Sequence, residues 1–324
     1  MFAGTARFLE QYAAARGGGG DMSGAATERA IAGAPPLTLG GQVTLACLWE
    51  ATAPKPGNVY RGADFEDLTY ADFVTSAAVA GPAIESTITQ GVGRAMFEAV
   101  RATQAAVATN TNLGLVLLIG PLAAVEDEAV SQEAVLGVLD RLDAEDTRWV
   151  YEAIRAATPG GLGEAEEADV RDAPPEEPLR DVMALAAERD LVARQYANGF
   201  AEVRRLAERI GDAAAAGTPL ADAIVDAFVG QIAECPDTLI SRKLGAEVAA
   251  EASAHAGRAA ASKKLGPDAY RAALGDLDFW LRADGHRRNP GATADLIGAA
   301  LFVLLRRGRL RWPVRFYGTE GGER

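Results

Sequence analysis

The stretch Glu50-Ala-Thr-Ala-Pro54-Lys55-Pro56-Gly57-Asn58-Val59 marks the end of the first long helical pattern of the chain. Each proline fixes its own φ and pushes the residue before it toward extended backbone, so a helix running into Glu50 must stop here. Gly57 allows close approach of the backbone to a ligand, and Lys55 and Asn58 stand on either side of it. Such a rigid turn suits a polyanion, for example the phosphates of a nucleotide. A plain helix-terminating turn explains the same residues.

On both sides of this turn the pattern is helical. From Leu37 onward apolar residues recur at a spacing typical of amphipathic helices, and the face that ends in Glu50 directs this side chain at the turn. Thr69 and Asp72 form a capping box that starts a helix. One helix is predicted over 238–264, and 310–317 is the sole candidate strand. The sequence therefore predicts an all-α fold: one large multi-helix domain over residues 37–324, with its site built from inter-helix loops.

The first 36 residues differ from the rest. A short amphipathic piece is followed by four consecutive glycines at 17–20, and Pro35-Pro36 closes the segment. Glycine-rich and proline-rich stretches are typical of linkers. Residues 1–36 are predicted to be a flexible N-terminal extension.

Composition excludes several classes of protein. The chain has 324 residues and a net charge of −13, which argues against nucleic-acid binding and against docking on anionic membranes. The most apolar run, 113–125, is too short to span a bilayer and contains Gly120 and Pro121. We therefore expect a soluble, cytoplasmic protein that grips any anionic substrate with a few local cations.

The catalytic repertoire is narrow. With two cysteines and two histidines, the chain has neither a disulfide framework nor a histidine-built metal site. It contains no glycine-rich phosphate loop that ends in Gly-Lys-Ser/Thr, and no credible Ser-His-Asp set. Carboxylates, amides and a few cations remain as candidate functional groups.

Three carboxylates, Asp64, Glu66 and Asp67, follow the Pro-Lys-Pro-Gly-Asn turn. Such oxygen ligands suit Mg²⁺, with substrate phosphates completing its coordination shell. A solvated acidic loop is the alternative.

Three segments in a fixed order carry a family resemblance. The Pro54–Asn58 turn is followed by Asn110-Thr111-Asn112-Leu113-Gly114 and then by Asn289-Pro290-Gly291-Ala292-Thr293-Ala294-Asp295-Leu296. Over about residues 40 to 305 the chain resembles the triphosphoribosyl-dephospho-CoA synthase family. The segments 160–165 and 236–242 are similar to two further motifs of that family. The resemblance implies a helical enzyme.

Some family positions differ. Asn112 and Leu113 stand where the family has histidine and lysine, Leu162 replaces an arginine, and Leu239 replaces an asparagine. Either the reaction is kept with other contacts, or this is a divergent member acting on a related substrate.

The resemblance implies a glycosyl transfer in which the 2′-hydroxyl of dephospho-CoA attacks the anomeric carbon of ATP and adenine departs. It implies ATP and dephospho-CoA as small-molecule partners and Mg²⁺ on the triphosphate. A homodimer is a candidate assembly. A carboxylate should activate the hydroxyl, and cations should clamp the triphosphate. The expected catalytic residues are Glu50 and Glu164; the expected nucleotide-binding residues are Lys55, Asn58, Asn110, Asn112, Thr238, Arg242 and Asp295; the expected metal ligands are Asp64, Asp67 and Asp237.

Three other readings stay open. A related transferase of the same fold would use a nucleotide to build a one-carbon cofactor. A catalytically inactive nucleotide-binding protein would fit the replaced residues. A purely structural helical partner would bind no nucleotide.

Overall fold

The computed structural model describes residues 37–157 and 170–318. The predicted extension 1–36 and the candidate Glu164 lie outside these ranges. Within them the chain is helical and forms no sheet, which confirms the all-α prediction. The helices are α1 Leu39–Thr52, α2 Tyr70–Glu85, α3 Thr87–Gln90, α4 Val92–Val107, α5 Leu113–Ala123, α6 Gln132–Leu139, α7 Ala144–Ala157, α8 Leu179–Leu185, α9 Leu191–Asn198, α10 Ala201–Ala215, α11 Leu220–Glu234, α12 Thr238–Leu244, α13 Ala246–Ser262, α14 Pro267–Arg282 and α15 Gly291–Arg306.

Two short elements accompany these helices. A 3-10 turn covers Lys263–Leu265, and Ala283–His286 is an extended segment. Among the described residues, no helix combines the length and apolar character needed to cross a membrane.

The core is built around α15. This helix is apolar on nearly every side, and Leu296 to Leu304 are buried without interruption. A helix that is hydrophobic all round belongs in the interior. Helices α1, α5, α10 and α11 pack around it, so the first turn of α15 is fixed by the most buried part of the molecule.

Helix α1 is held against α2 by a close crossing of two glycines. A Cβ on Gly40 would lie 2.8 Å from the Gly81 carbonyl oxygen, and one on Gly81 would lie 2.6 Å from the Gly40 carbonyl oxygen. The absence of side chains lets the two backbones approach. Glu50 lies in the last turn of the same helix, so this crossing sets its position.

The turn after α1 is fixed to α14. Gly57 adopts a φ of +75° and its N–H donates to Asp278 Oδ1 at 2.7 Å. A Cβ there would lie 2.6 Å from Leu281 Cβ. Gly57 is therefore required by backbone conformation and by packing against protein, whereas the sequence suggested approach to a ligand.

Two sequence predictions were wrong in detail. The predicted helix 238–264 is broken at Gly245, whose φ of +92° no helix accommodates. The candidate strand 310–317 is irregular, and the carbonyls of Arg315 and Phe316 accept hydrogen bonds from Leu220 and Ala221 at the start of α11. This segment satisfies a helix N-terminus instead of joining a sheet.

Candidate active site

A cavity of about 780 Å³ opens among the helix ends. This volume is typical of small-molecule sites, which range from roughly 300 to 1,000 Å³. Its wall is formed by the turn after α1, the loop before α2, the α4–α5 connection, the α8–α9 loop, α12 and the start of α15. The three segments that carry the family resemblance therefore meet in one place.

One part of the wall is cationic. Arg189, Arg242 and Lys243 all line the cavity. Arg242 Nη1 lies 2.9 Å from Asp190 Oδ2, and Asp190 Oδ1 in turn caps the start of α9. Burial and the neighbouring Arg242 lower the pKa of Lys243. An anionic ligand at this position would favour the charged ammonium, so this group of cations suits polyphosphate.

Another part is acidic. Glu50, which is 7% exposed, and Asp295 both line the cavity. Burial and the charge of Glu50 raise the pKa of Asp295 well above its ordinary value. Burial and Glu50 also raise the pKa of the nearby Cys47 thiol to about 12. This part of the wall thus holds two carboxyl groups, and that of Asp295 favours its protonated form.

Lys55 lies elsewhere than the sequence suggested. Its side chain is fully buried and does not line the cavity. Lys55 Nζ lies 2.9 Å from Glu50 Oε1 and also donates to the backbone carbonyls of Glu50 and Ala53. An ammonium has three donors, and all three have protein partners. Lys55 is the counter-ion of Glu50, and no donor is left to clamp a triphosphate.

Asp237 is also engaged by the protein. Its Oδ1 accepts from the N–H groups of Leu239 and Ile240, and its Oδ2 accepts from the N–H and hydroxyl of Thr293, both at 2.7 Å. The carboxyl is fully buried outside the cavity wall. It ties the start of α12 to the start of α15, so its predicted place at a metal ion is not supported by the geometry. Thr238 is likewise structural, because its Oγ1 accepts from Leu191 N at 3.1 Å.

The predicted metal ligands do not converge. Asp64 Oδ1 accepts from Tyr70 N at the start of α2 and does not line the cavity. Asp67 lines it, 3.0 Å from His286 Nδ1. In residues 37–157 and 170–318 no group of three or more His, Cys, Asp or Glu side chains could hold a metal ion. Asp64, Asp67 and Asp237 therefore do not fit a common protein-built Mg²⁺ site.

The predicted amides all line the cavity. Asn110 Oδ1 accepts from Leu113 N at 3.1 Å, and Asn112 Nδ2 donates to Thr103 Oγ1 at 3.2 Å. Asn58 is 6% exposed, and its Nδ2 has no partner among the described residues. Asn110 and Asn112 shape the start of α5, whereas Asn58 keeps a free donor.

Sequence reasoning missed several residues of the wall. Arg189, Asp190, Lys243 and His286 line the cavity. Asp190 carried a usable signal, because an aspartate just before an apolar helical run is a common N-cap. The others gave none, since their shared position arises only when distant helix ends meet.

An all-α domain around one anion-complementary cavity fits a helical enzyme that acts on a nucleotide. Residues 36–314 match the model of the CitG family, ATP:dephospho-CoA triphosphoribosyl transferase, and the chain belongs to this family. The expected family, its transferase class and its ATP-dependent activity are thereby confirmed.

A solved structure agrees. The crystal structure assigned as a triphosphoribosyl-dephospho-CoA synthase from Archaeoglobus fulgidus superposes with a TM-score of 0.58 and 27% identity, covering 72% of this chain and 98% of that chain. No curated protein matches the chain significantly.

Proposed function

We propose that the cavity binds ATP and dephospho-CoA together and transfers the triphosphoribosyl group between them. The observation that carries this proposal is that Arg189, Arg242 and Lys243 line the same cavity as the carboxyl groups of Glu50 and Asp295, in a chain of this family. In the reaction the bond from C1′ of the ATP ribose to the adenine nitrogen breaks. A new bond forms from C1′ to the 2′-oxygen of dephospho-CoA.

Two proton transfers accompany this exchange. Glu50 carries out one of them and Asp295 the other. Glu50, which has Lys55 as its counter-charge, accepts the proton of the attacking hydroxyl. Asp295, whose pKa is raised by burial and by Glu50, holds a proton that it donates to the departing adenine. Paired carboxyls with opposed environments are a recurring solution for acid and base roles in one site. Asp295 thereby moves from a nucleotide-binding to a catalytic role.

The cations hold the triphosphate. Arg242, which Asp190 holds in place, binds phosphate oxygens together with the adjacent Lys243 and with Arg189, which lines the same cavity. Fixing a charged group in this way lowers the barrier by orientation and by electrostatic stabilisation. Mg²⁺ would be carried by the triphosphate, with Asp67 as the one predicted ligand on the wall, and no step above depends on it. A cytoplasmic homodimer stays a prediction from the sequence.

The test is to incubate the purified chain with ATP and dephospho-CoA and to measure free adenine and the mass of the acceptor product. We expect one adenine per product. Nucleotide binding without adenine release would favour an inactive nucleotide-binding protein. Adenine release only with another acceptor would favour a related transferase, and the absence of binding would favour a structural role.

A further inference from the structure

The cavity wall contains two unsatisfied buried amide atoms. In the described residues seven buried side-chain nitrogen and oxygen atoms have no hydrogen-bond partner, and two of these belong to residues of the cavity wall: Asn58 Nδ2 and Asn289 Oδ1. The other five belong to residues that do not line the cavity. A buried polar atom without a partner is costly, so each case calls for a physical explanation. A ligand in the cavity explains these two.

The two segments that carry these amides hydrogen-bond to the same helix end. The Asn58 carbonyl accepts a hydrogen bond from Arg282, and Arg288, the neighbour of Asn289, donates from Nη1 to the Trp280 carbonyl at 3.0 Å. Trp280 and Arg282 both belong to the last turn of α14. Residues two apart in a helix are separated by only about 3 Å along its axis. Both segments that carry the asparagines are therefore bound to the last turn of α14.

One atom is a donor and the other an acceptor. Together they suit a ligand that presents both an acceptor and a donor to the cavity wall. Adenine does so, because its 6-amino group donates beside the N7 acceptor, and guanine presents two acceptors along the same edge. Apolar side chains of the same cavity, Val59, Leu68 and Phe73, supply surface for the faces of a ring.

We propose that Asn58 and Asn289 form an adenine-reading subsite, with Asn58 Nδ2 donating to a ring nitrogen and Asn289 Oδ1 accepting from the 6-amino group. This rests on the proposed function for its choice of ligands. Both ATP and dephospho-CoA carry adenine. The same contacts would therefore suit the adenine that ATP loses in the reaction and the adenine that remains part of dephospho-CoA. The subsite makes the enzyme specific for adenine over guanine in one of these two substrates.

The test measures binding of each nucleotide alone by calorimetry. The probes are ATP, GTP, purine riboside triphosphate, which is ATP without its 6-amino group, and dephospho-CoA with its matching 6-desamino form. For one of the two substrates the wild-type chain should prefer the amino form by about 10- to 100-fold. Asn289→Leu should bind both forms equally, and Asn58→Leu should bind both more weakly. Ser241→Ala, elsewhere on the wall, should keep the wild-type ratio.

The outcomes of this experiment distinguish between the two substrates. Loss of preference on the ATP pair assigns the subsite to the donor, and loss on the dephospho-CoA pair assigns it to the acceptor. A wild-type chain that binds amino and desamino forms alike, or an Asn289→Leu chain that keeps the preference, overturns the subsite. Thermal unfolding checks each variant, and Asn289→Ser replaces the leucine variant if that one does not fold. Failure of adenine release with an intact preference would overturn the proposed function alone.

Discussion

At the scale of single residues, Lys55 shows that a charged residue in a prominent sequence motif can stabilise the fold and not bind a ligand. The ammonium is enclosed with Glu50 and two carbonyls. Replacing one partner of a buried pair leaves an uncompensated charge and costs about 3–5 kcal/mol. We expect Lys55→Met to lower the free energy of unfolding in urea by this amount, and Lys55→Met combined with Glu50→Leu to recover much of it.

Lys264→Met, at an exposed position, is the control and should change stability by less than about 0.5 kcal/mol. If Lys55→Met kept full stability and lost only ATP affinity, Lys55 would be a phosphate ligand after all.

Asp295 gives a prediction in pH. Burial and Glu50 raise its folded-state pKa, so the folded chain keeps a proton that the unfolded chain releases above about pH 3.9. Below about pH 3.9 the proton makes its full contribution to the free energy of unfolding. This contribution is lost as the pH rises through the folded-state pKa of Asp295. Relative to wild type, Asp295→Asn should therefore be more stable at pH 7 to 8 and equal near pH 4.

Denaturant unfolding between pH 4 and pH 8 measures this difference. Because the carboxyl is assigned as the acid, turnover should fall about 10²- to 10⁴-fold in the same variant. A stability difference that does not vary with pH would show that the carboxyl is not held protonated.

At the scale of elements, the packing of α5 against α15 sets the position of Asp295, the proposed acid. A Cβ on Gly114 would lie 2.1 Å from Asp295 Oδ2. We expect Gly114→Ala to displace the carboxyl, to lower stability by about 1–3 kcal/mol and to reduce adenine release by more than about tenfold.

The matched control is Gly275→Ala in α14, where an added Cβ meets no atom within 4 Å. That change should leave turnover intact and raise stability by about 0.5–1 kcal/mol. Equal losses in both variants would mean that helix propensity, and not contact with Asp295, governs the effect.

Local signals predicted the elements better than their ends. The Thr69–Asp72 capping box is present as the sequence indicated, because both partners lie within one turn. The break at Gly245 was missed, since glycine inside an alanine-rich pattern is compatible with either a helix or its end. Asp237 and Lys55 were assigned to ligands because sequence cannot show that Thr293 and Glu50 satisfy them across the fold.

At the scale of the whole molecule, one domain accounts for the family match. The match begins at residue 36 and the described helical domain at residue 37. We expect a chain lacking residues 1–36 to unfold at a midpoint within about 2 °C of the full chain and to release adenine at the same rate. Calorimetry and the adenine assay check this. A large loss of either would give the extension a role in folding or catalysis.

The cavity itself was predictable only in part. Loops at 110–114 and 289–293 were expected to build the site with the Pro-Lys-Pro-Gly-Asn turn because all three break the helical pattern, and residues of all three line the cavity. The cations Arg189 and Lys243 were not expected, since their convergence depends on how α8, α9 and α12 pack.

The proposed acid, Asp295, lies on α15, the helix at the centre of the core. Catalysis and the stability of the core would therefore depend on the same helix, α15. Heat should abolish turnover and melt the interior at a single midpoint, without an earlier loosening of the active centre. For the same reason, laboratory evolution of this scaffold would find few interior changes that leave the chemistry untouched.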